Sequence, residues 1–232
     1  MAKKIFSAKG FLIFVLVTFI LSSIYVVILR LMPEAMTDMG YNILARTDYE
    51  LLLAYCLAGI AGLFVPGFVR KKFRYAISGP MLIMYAAFIF SSLFLGTLMN
   101  FYYIFYHWDT FLHLMSGITL GILGYALADI VGKVHKIKYN PMFVTVFAFC
   151  FAATMGMFWE IYEFAIDSIL GTNTQRWADA DGVPFAGQEA LFDTMKDIIA
   201  NNIGALAICI WGHMRIKGKG WPRYLSITQI KQ

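Results

Sequence analysis

The chain has 232 residues, of which 60% are hydrophobic and 14% charged, with a mean hydropathy of +0.68 and a formal net charge of +5. A soluble domain of this size needs a charged exterior that this composition cannot supply, so lipid is the solvent it fits, and no length remains for a separate soluble catalytic domain. The basic residues sit at the ends of apolar runs, which is a topology signal and not a nucleic-acid footprint, and Cys56, Cys150 and Cys209 are isolated in apolar stretches, as buried small residues are.

Six apolar spans follow in chain order: Phe11–Leu31, Glu50–Val69, Ile77–Met99, Thr110–Val131, Met142–Ile169 and Ala190–Ile210. Each reaches the ~20 residues a helix needs to cross a hydrocarbon core. A lone span in lipid must satisfy its own backbone hydrogen bonds, so helices are required. The first run exceeds the ~7–15 residues of a signal h-region, and no small-x-small cleavage site follows it, so it reads as a retained helix. Pro80 is tolerable in the first turn of the third. The expectation is an all-α polytopic membrane bundle of about six transmembrane helices, forming a single transmembrane domain over 1–232. Scaffold helices occupy 11–99, and polar-site helices occupy 110–210 with an outer loop at 171–189.

Charge gives the expected orientation. Lys3, Lys4 and Lys9 precede the first span; Arg70, Lys71, Lys72 and Arg74 join the second and third. Lys133, Lys136 and Lys138 join the fourth and fifth, and Arg215, Lys217, Lys219, Arg223 and Lys231 follow the last. All these clusters fall on one side if both termini are cytoplasmic. Most acids fall on the other side, from Glu34, Asp38, Asp48 and Glu50 to those of the last three helices. Trp108, Trp159, Trp177, His135, His213 and the aromatic run Phe101–Trp108 read as interfacial residues.

Ionisable residues inside spans are costly and mark candidate sites. On the fourth helix, Asp109 and His113 are one turn apart on one face, continued by Ser116 and Gly117, and Gly117-xxx-Gly121 permits close approach of a neighbour. The fifth carries Glu160, Glu163 and Asp167 within a narrow arc, where they repel unless a cation, a proton or a basic partner intervenes. Arg176 and Lys196 are the nearby cations, with Arg30 and Arg46 more distant in sequence. The sixth carries Asp193, Asp197 and Asn201 at four-residue spacing, with Gly204 on the same side. All three stripes lie at the expected outer ends. Together they suit a divalent cation: Zn²⁺, Mn²⁺ or Fe²⁺ with imidazole in the set, Mg²⁺ or Ca²⁺ if carboxylates alone bind. Asp109, His113, Glu160 and Asp197 are the expected ligands. Glu160, Glu163 and Asp193 are the candidate catalytic acids and bases, and Arg176, Lys196, Asn201 and Asp167 the candidate substrate contacts.

The segments WDTFLHLMSG, FWEIYEF and DTMKDIIANNIGA resemble the YjdF-type family of bacterial inner membrane proteins. Its Asp-x-x-x-His-x-x-x-Gly helix, Glu-rich helix and final Asp-rich helix correspond to Asp109, His113 and Gly117, to Glu160 and Glu163, and to Asp193, Asp197 and Gly204. A weaker similarity is to VanZ-like membrane proteins, associated with glycopeptide (teicoplanin) resistance, through the Asp/His helix, the Glu helix and Asp197-x-x-x-Asn201, with a departure at Glu163. The resemblance covers the second half of the chain and implies a multi-pass protein of the bacterial cytoplasmic (inner) membrane.

The leading functional expectation is a metal-dependent membrane hydrolase or transferase acting at the outer leaflet on a lipid or lipid-linked phosphate. Membrane lipid is then the partner, and no nucleic-acid module is present in the sequence. Alternatives are a cation- or proton-coupled transporter, which needs polar residues continuing to the inner side, and a structural or envelope-stress protein in which the acidic stripe only packs helices.

Overall fold

A computed structural model of the chain describes residues 7–31, 48–179 and 182–230. Lys3, Lys4, Glu34, Asp38, Arg46, Asp181, Lys231 and the side chain of Asp48, on which the charge reading drew, lie outside the described residues. The chain forms two compact units, Met1–Tyr106 with Thr228–Gln232, and His107–Ile227.

The first unit contains α1 (Ala8–Leu31), α2 (Asp48–Phe73), strand β1 (Tyr75–Ile77), α3 (Gly79–Ile89) running directly into a π-helical segment (Phe90–Leu98), and the short α4 (Phe101–Ile104). In α1 the hydroxyls of Thr18, Ser22 and Ser23 donate to carbonyls four residues earlier at 3.0, 2.9 and 2.8 Å, so none needs water. Phe19 is fully buried with Val15, Cys56 and Ile89. Its ring lies 2.7 Å from where a Cβ on Gly59 would stand, so that position must be glycine. Pro66 lies inside α2. Proline has no N–H to give the carbonyl four residues back. That carbonyl, Gly62 O, instead accepts the Tyr85 hydroxyl at 2.9 Å, which ties α2 to α3.

The third span differs from expectation at its start. Ile77 belongs to β1, which pairs with β2 (Ile227–Gln229). Arg74, at φ 59, turns the chain out of α2, and Pro80 opens α3 within its first turn. The aromatic run includes α4, whose Tyr103 is largely exposed, as is Tyr106 just beyond it.

The second unit is three long helices, α5 (Trp108–His135), α6 (Pro141–Leu170) and α7 (Gln188–Lys219), packed on one another. Asn140 accepts the Met142 N–H at 2.8 Å as N-cap of α6, with Pro141 at the first helical position. Gly171, at φ 66, closes α6, and its N–H donates to Asp167 O at 2.9 Å. The loop expected at 171–189 ends two residues early, because α7 begins at Gln188.

Five described helices are long and apolar enough to cross a membrane: α1, α2, α3 with its π extension, α5 and α6. Their outward side chains, among them Phe64, Phe164 and Ile161, are exposed although large and apolar, which only lipid tolerates. α7 is more polar, since Asp193, Lys196, Asp197, Asn201 and Asn202 fall in its first half. At 32 residues it is still ~48 Å long, and it lies against both α5 and α6. The protein is a helical multi-pass membrane bundle.

Glycine sets how closely α5 and α7 approach. A Cβ on Gly117 would overlap the Asn201 carbonyl, and one on Gly204 the Leu114 carbonyl. On the α6 side, a Cβ on Gly124 would stand 2.8 Å from Ala148 Cα. Because backbone cannot move aside as a flexible side chain can, Gly204→Val should cost more than the ~1–3 kcal/mol of ordinary overpacking. A marked fall in the melting temperature of the detergent-solubilised protein is expected, with Gly218→Ala, which meets nothing within 4 Å, unchanged as control.

Candidate metal centre

The close α5–α7 crossing brings three ionisable stripes together. Asp109 and His113, one turn apart on α5, place Asp109 Oδ1 3.6 Å from His113 Nε2. Asp197 of α7 approaches the same ring nitrogen, with Oδ2 at 4.0 Å. One ligand atom from each of Asp109, His113 and Asp197 can be chosen so that all lie within 4.8 Å of one another, a spacing that a single cation can bridge. Glu160 of α6 lies on the other side of the imidazole, with Oε1 3.7 Å from Nδ1. His113, Glu160 and Asp197 are only 8, 4 and 2% exposed, yet Glu160 Oε1 and Asp197 Oδ1 make no hydrogen bond. A buried carboxylate oxygen without a partner is expensive, and each needs a proton or a cation.

Two cations border this group. Lys196 Nζ lies 2.5 Å from Asp193 Oδ1 and 3.9 Å from Asp197 Oδ1. Arg176 reaches from the loop, with Nη2 3.6 Å from Asp109 Oδ2 and Nη1 3.9 Å from Asp193 Oδ1. Asp193 is therefore held between two positive groups, which makes it their anchor more than a free base. Four carboxylates (Asp109, Glu160, Asp193, Asp197) face two permanent cations, leaving an excess of two negative charges when all are ionised and His113 is neutral.

The remaining sequence candidates fall around this cluster in different roles. Asn201 is 1% exposed and bridges three helices: its Oδ1 accepts the Ser116 hydroxyl of α5 at 2.9 Å, and its Nδ2 donates to Ala152 O of α6 at 3.2 Å. Gly156 makes room for that amide. Asn201 is thus the floor of the site. Glu163 accepts the Trp159 indole N–H at 2.9 Å on a partly exposed face of α6 and stands outside the Asp/His/Asp group, though it interacts electrostatically with Glu160, Asp109 and Asp197.

Asp167 organises the loop. Its Oδ1 accepts from the hydroxyls of Thr172 and Thr174, both at 2.6 Å, and from Thr174 N at 2.8 Å, while Oδ2 accepts Gln175 N at 2.9 Å. These bonds fix the segment that ends at Arg176, a non-glycine residue held at φ 51. Gln175 Nε2 donates to Glu160 O and to Thr194 Oγ1, both at 3.1 Å, tying the loop to α6 and α7. Further along, Trp177 Nε1 donates to Thr172 O at 3.0 Å, and Ala178 and Pro184 form an isolated antiparallel bridge.

Sequence reading overlooked Thr172, Thr174 and Gln175. A run of hydroxyl and amide residues directly after a helix-ending glycine was the available signal. From the sequence, His213 reads as interfacial only. Instead, Tyr125, 1% exposed, donates toward Thr145 Oγ1 (2.9 Å) and Cys209 O (3.0 Å), and His213 Nδ1 lies 3.0 Å from the same threonine oxygen. Trp221 stacks on Tyr125 with ring centroids 4.6 Å apart.

Fold and site together define a multi-pass helical membrane protein with a buried Asp/His/Asp group. The chain belongs to the family described as predicted membrane protein (DUF2238), whose model matches residues 11–218. The YjdF-type proteins that the sequence resembles fall within that family, while the VanZ-like similarity gains no support from the match. No curated protein and no solved structure matches the chain.

If Asp167 holds the loop as its bonds indicate, Asp167→Asn should free it. Each hydrogen bond to a charged acceptor contributes ~1.5–3 kcal/mol. Amide exchange at Thr174 and Gln175 should accelerate at least about tenfold, with α5 protection unchanged.

Proposed function

We propose that the protein is a metal-dependent membrane enzyme, a hydrolase or transferase that acts on a lipid or lipid-linked phosphate at the outer face of the bacterial cytoplasmic membrane. The observation that carries this reading is the Asp109–His113–Asp197 group, buried in three packed helices beside carboxylate oxygens that make no hydrogen bond and bordered by Arg176 and Lys196. Carboxylates with one imidazole suit a divalent ion of intermediate softness. A cation and two basic side chains around one point suit a phosphoryl group.

The roles follow from which atoms face which. Asp109, His113 through Nε2, and Asp197 would hold the ion. Glu160, opposite Nδ1, is the acceptor that orients the ring, an arrangement common behind metal-bound histidines. A bound divalent ion supplies a Lewis acid and a water of lowered pKa. Arg176 and Lys196 exchange part of their pairing with Asp193 for the substrate's phosphate oxygens, and Asp193 returns both to place afterwards. The outward orientation rests on the positive-inside pattern, which also puts both termini in the cytoplasm.

A transport route is less well supported. Below the site, α5 meets α7 at backbone contact through Gly117 and Gly204, and α6 through Gly124, a close packing that speaks against an open ion path there.

Metal analysis of the purified, chelator-free protein tests the reading. About one divalent ion per chain is expected, lost in His113→Ala and Asp197→Asn. Glu160→Gln should keep the ion but bind it ~10–100-fold more weakly. Phosphate release from a detergent-dispersed lipid phosphate monoester should require the ion and fall with the same variants. Wild-type protein that binds no Zn²⁺, Mn²⁺, Fe²⁺ or Mg²⁺ would sink the proposal.

A further inference from the structure

The C-terminal end of α2, in the first unit, carries a basic cleft that uses none of the metal-centre residues. Arg70, Lys71 and Arg74 line one cleft of about 330 Å³, together with Gly67 and Ile230. Gly67 meets nothing within 4 Å of its would-be Cβ, so the floor of the cleft is open. The wall is built by the returning chain end: Ile230 N donates to Arg74 O at 2.8 Å, continuing the β1–β2 pairing.

Basic residues at a helix end are expected from topology alone, but three observations go beyond that rule. First, Arg74 occupies the left-handed position after α2, at φ 59, where glycine or asparagine is the unstrained choice. An arginine there costs stability, and such an outlier points to a role for its side chain. Second, no described carboxylate forms an ion pair with Arg70, Lys71 or Arg74, whereas Lys133 is paired with Asp129 at 2.5 Å. Third, the neighbouring surface is apolar and aromatic. Phe68 and Phe73 are each 56% exposed and meet edge to face, with the Lys72 ammonium 5.5 and 5.9 Å from their ring centroids. Lys72 is thereby drawn onto the rings and stays out of the cleft.

We propose that this cleft binds the phosphodiester headgroup of an anionic phospholipid, with Arg70, Lys71 and Arg74 on the phosphate and the Phe68/Phe73 surface against the lipid's apolar part. α2 is a membrane span by length and composition, and the cleft lies at its charged end, at headgroup depth. A soluble phosphate ester offers the same anion but nothing for the aromatic surface, so a lipid is the ligand. The site shares no residue with the metal centre.

The test is native mass spectrometry of the full chain released from nanodiscs of mixed phosphatidylglycerol and phosphatidylcholine. Wild type should retain phosphatidylglycerol preferentially. Arg74→Gly is the cleanest variant, because glycine relieves the backbone strain while removing one charge, so folding should be unharmed or improved. Retention should fall roughly fivefold per charge removed, and further in Arg70→Gln/Arg74→Gly. Lys217→Gln/Lys219→Gln removes the same charge from another basic helix end and should change retention less than twofold. Three results would overturn the site: no preference for phosphatidylglycerol in wild type, no loss in Arg70→Gln/Arg74→Gly, or an equal loss in Lys217→Gln/Lys219→Gln, which would mean diffuse charge. Displacement of the lipid by an equal concentration of soluble glycerophosphate would overturn the lipid assignment.

Discussion

The backbone contact between α5 and α7 is the constraint from which the site follows. Gly117 lies against the Asn201 carbonyl and Gly204 against the Leu114 carbonyl, so the two helices touch with no side chain between them. His113 and Asp197 lie about one turn to the same side of that crossing. Larger residues at the glycines would push the axes apart, and Nε2 and Oδ2, now 4.0 Å apart, would separate. In lipid there is no hydrophobic force to bring helices together, so small residues and polar bridges do that work. The Ser116–Asn201–Ala152 chain supplies the bridge and adds α6 to the pair.

The loop depends on the same economy of polar groups. Asp167 sits at the end of α6, where the helix has run out of backbone donors, and it gathers its own from Thr172, Thr174 and Gln175. That closes the Gly171 turn into a rigid lead for Arg176. A guanidinium delivered by a fixed loop loses less rotamer freedom on meeting an anion than one on a free stem. Lys196, by contrast, arises from α7 itself and is kept in register by Asp193 three residues earlier.

How far the sequence foretold this varies with the physics of each feature. The membrane class was plain, because apolar runs of span length admit one backbone solution. Asp109, His113 and Asp197 were legible because four-residue spacing puts charges on one face, and charges inside a span demand an explanation. The strand at Tyr75–Ile77 was not legible, because it depends on pairing with β2 and on Arg74 taking an unusual φ, and no spacing in the sequence marks the π-helical continuation of α3. Asp167 was read as a substrate contact because its spacing matched the carboxylate stripe. In the structure its carboxylate bonds to the loop, because spacing gives a face but not the depth at which a helix ends. Tyr125, Thr145 and His213 escaped notice for a related reason. Each is one polar residue on a different helix, with no repeat within any one of them.

Charge balance links the buried group to its surroundings. Arg176 and Lys196 pair with Asp193 and, at 3.6 and 3.9 Å, with Asp109 and Asp197, so two negative charges remain uncompensated across the group, where Asp197 Oδ1 and Glu160 Oε1 make no hydrogen bond. Their oxygens flank His113 from opposite sides, one toward Nε2 and one toward Nδ1. A neutral imidazole can donate to only one of them, from one nitrogen, while the other nitrogen remains an acceptor. A cation held by Asp109, Asp197 and Nε2 would compensate both carboxylates and leave the ring proton on Nδ1, where Glu160 can accept it. A proton on Asp109 or Asp197 would also reduce the charge, and its O–H could donate to Nε2, leaving the same tautomer with the ring proton on Nδ1. Either way, helices in contact at their glycines tie the charge of these carboxylates to the tautomer of one imidazole.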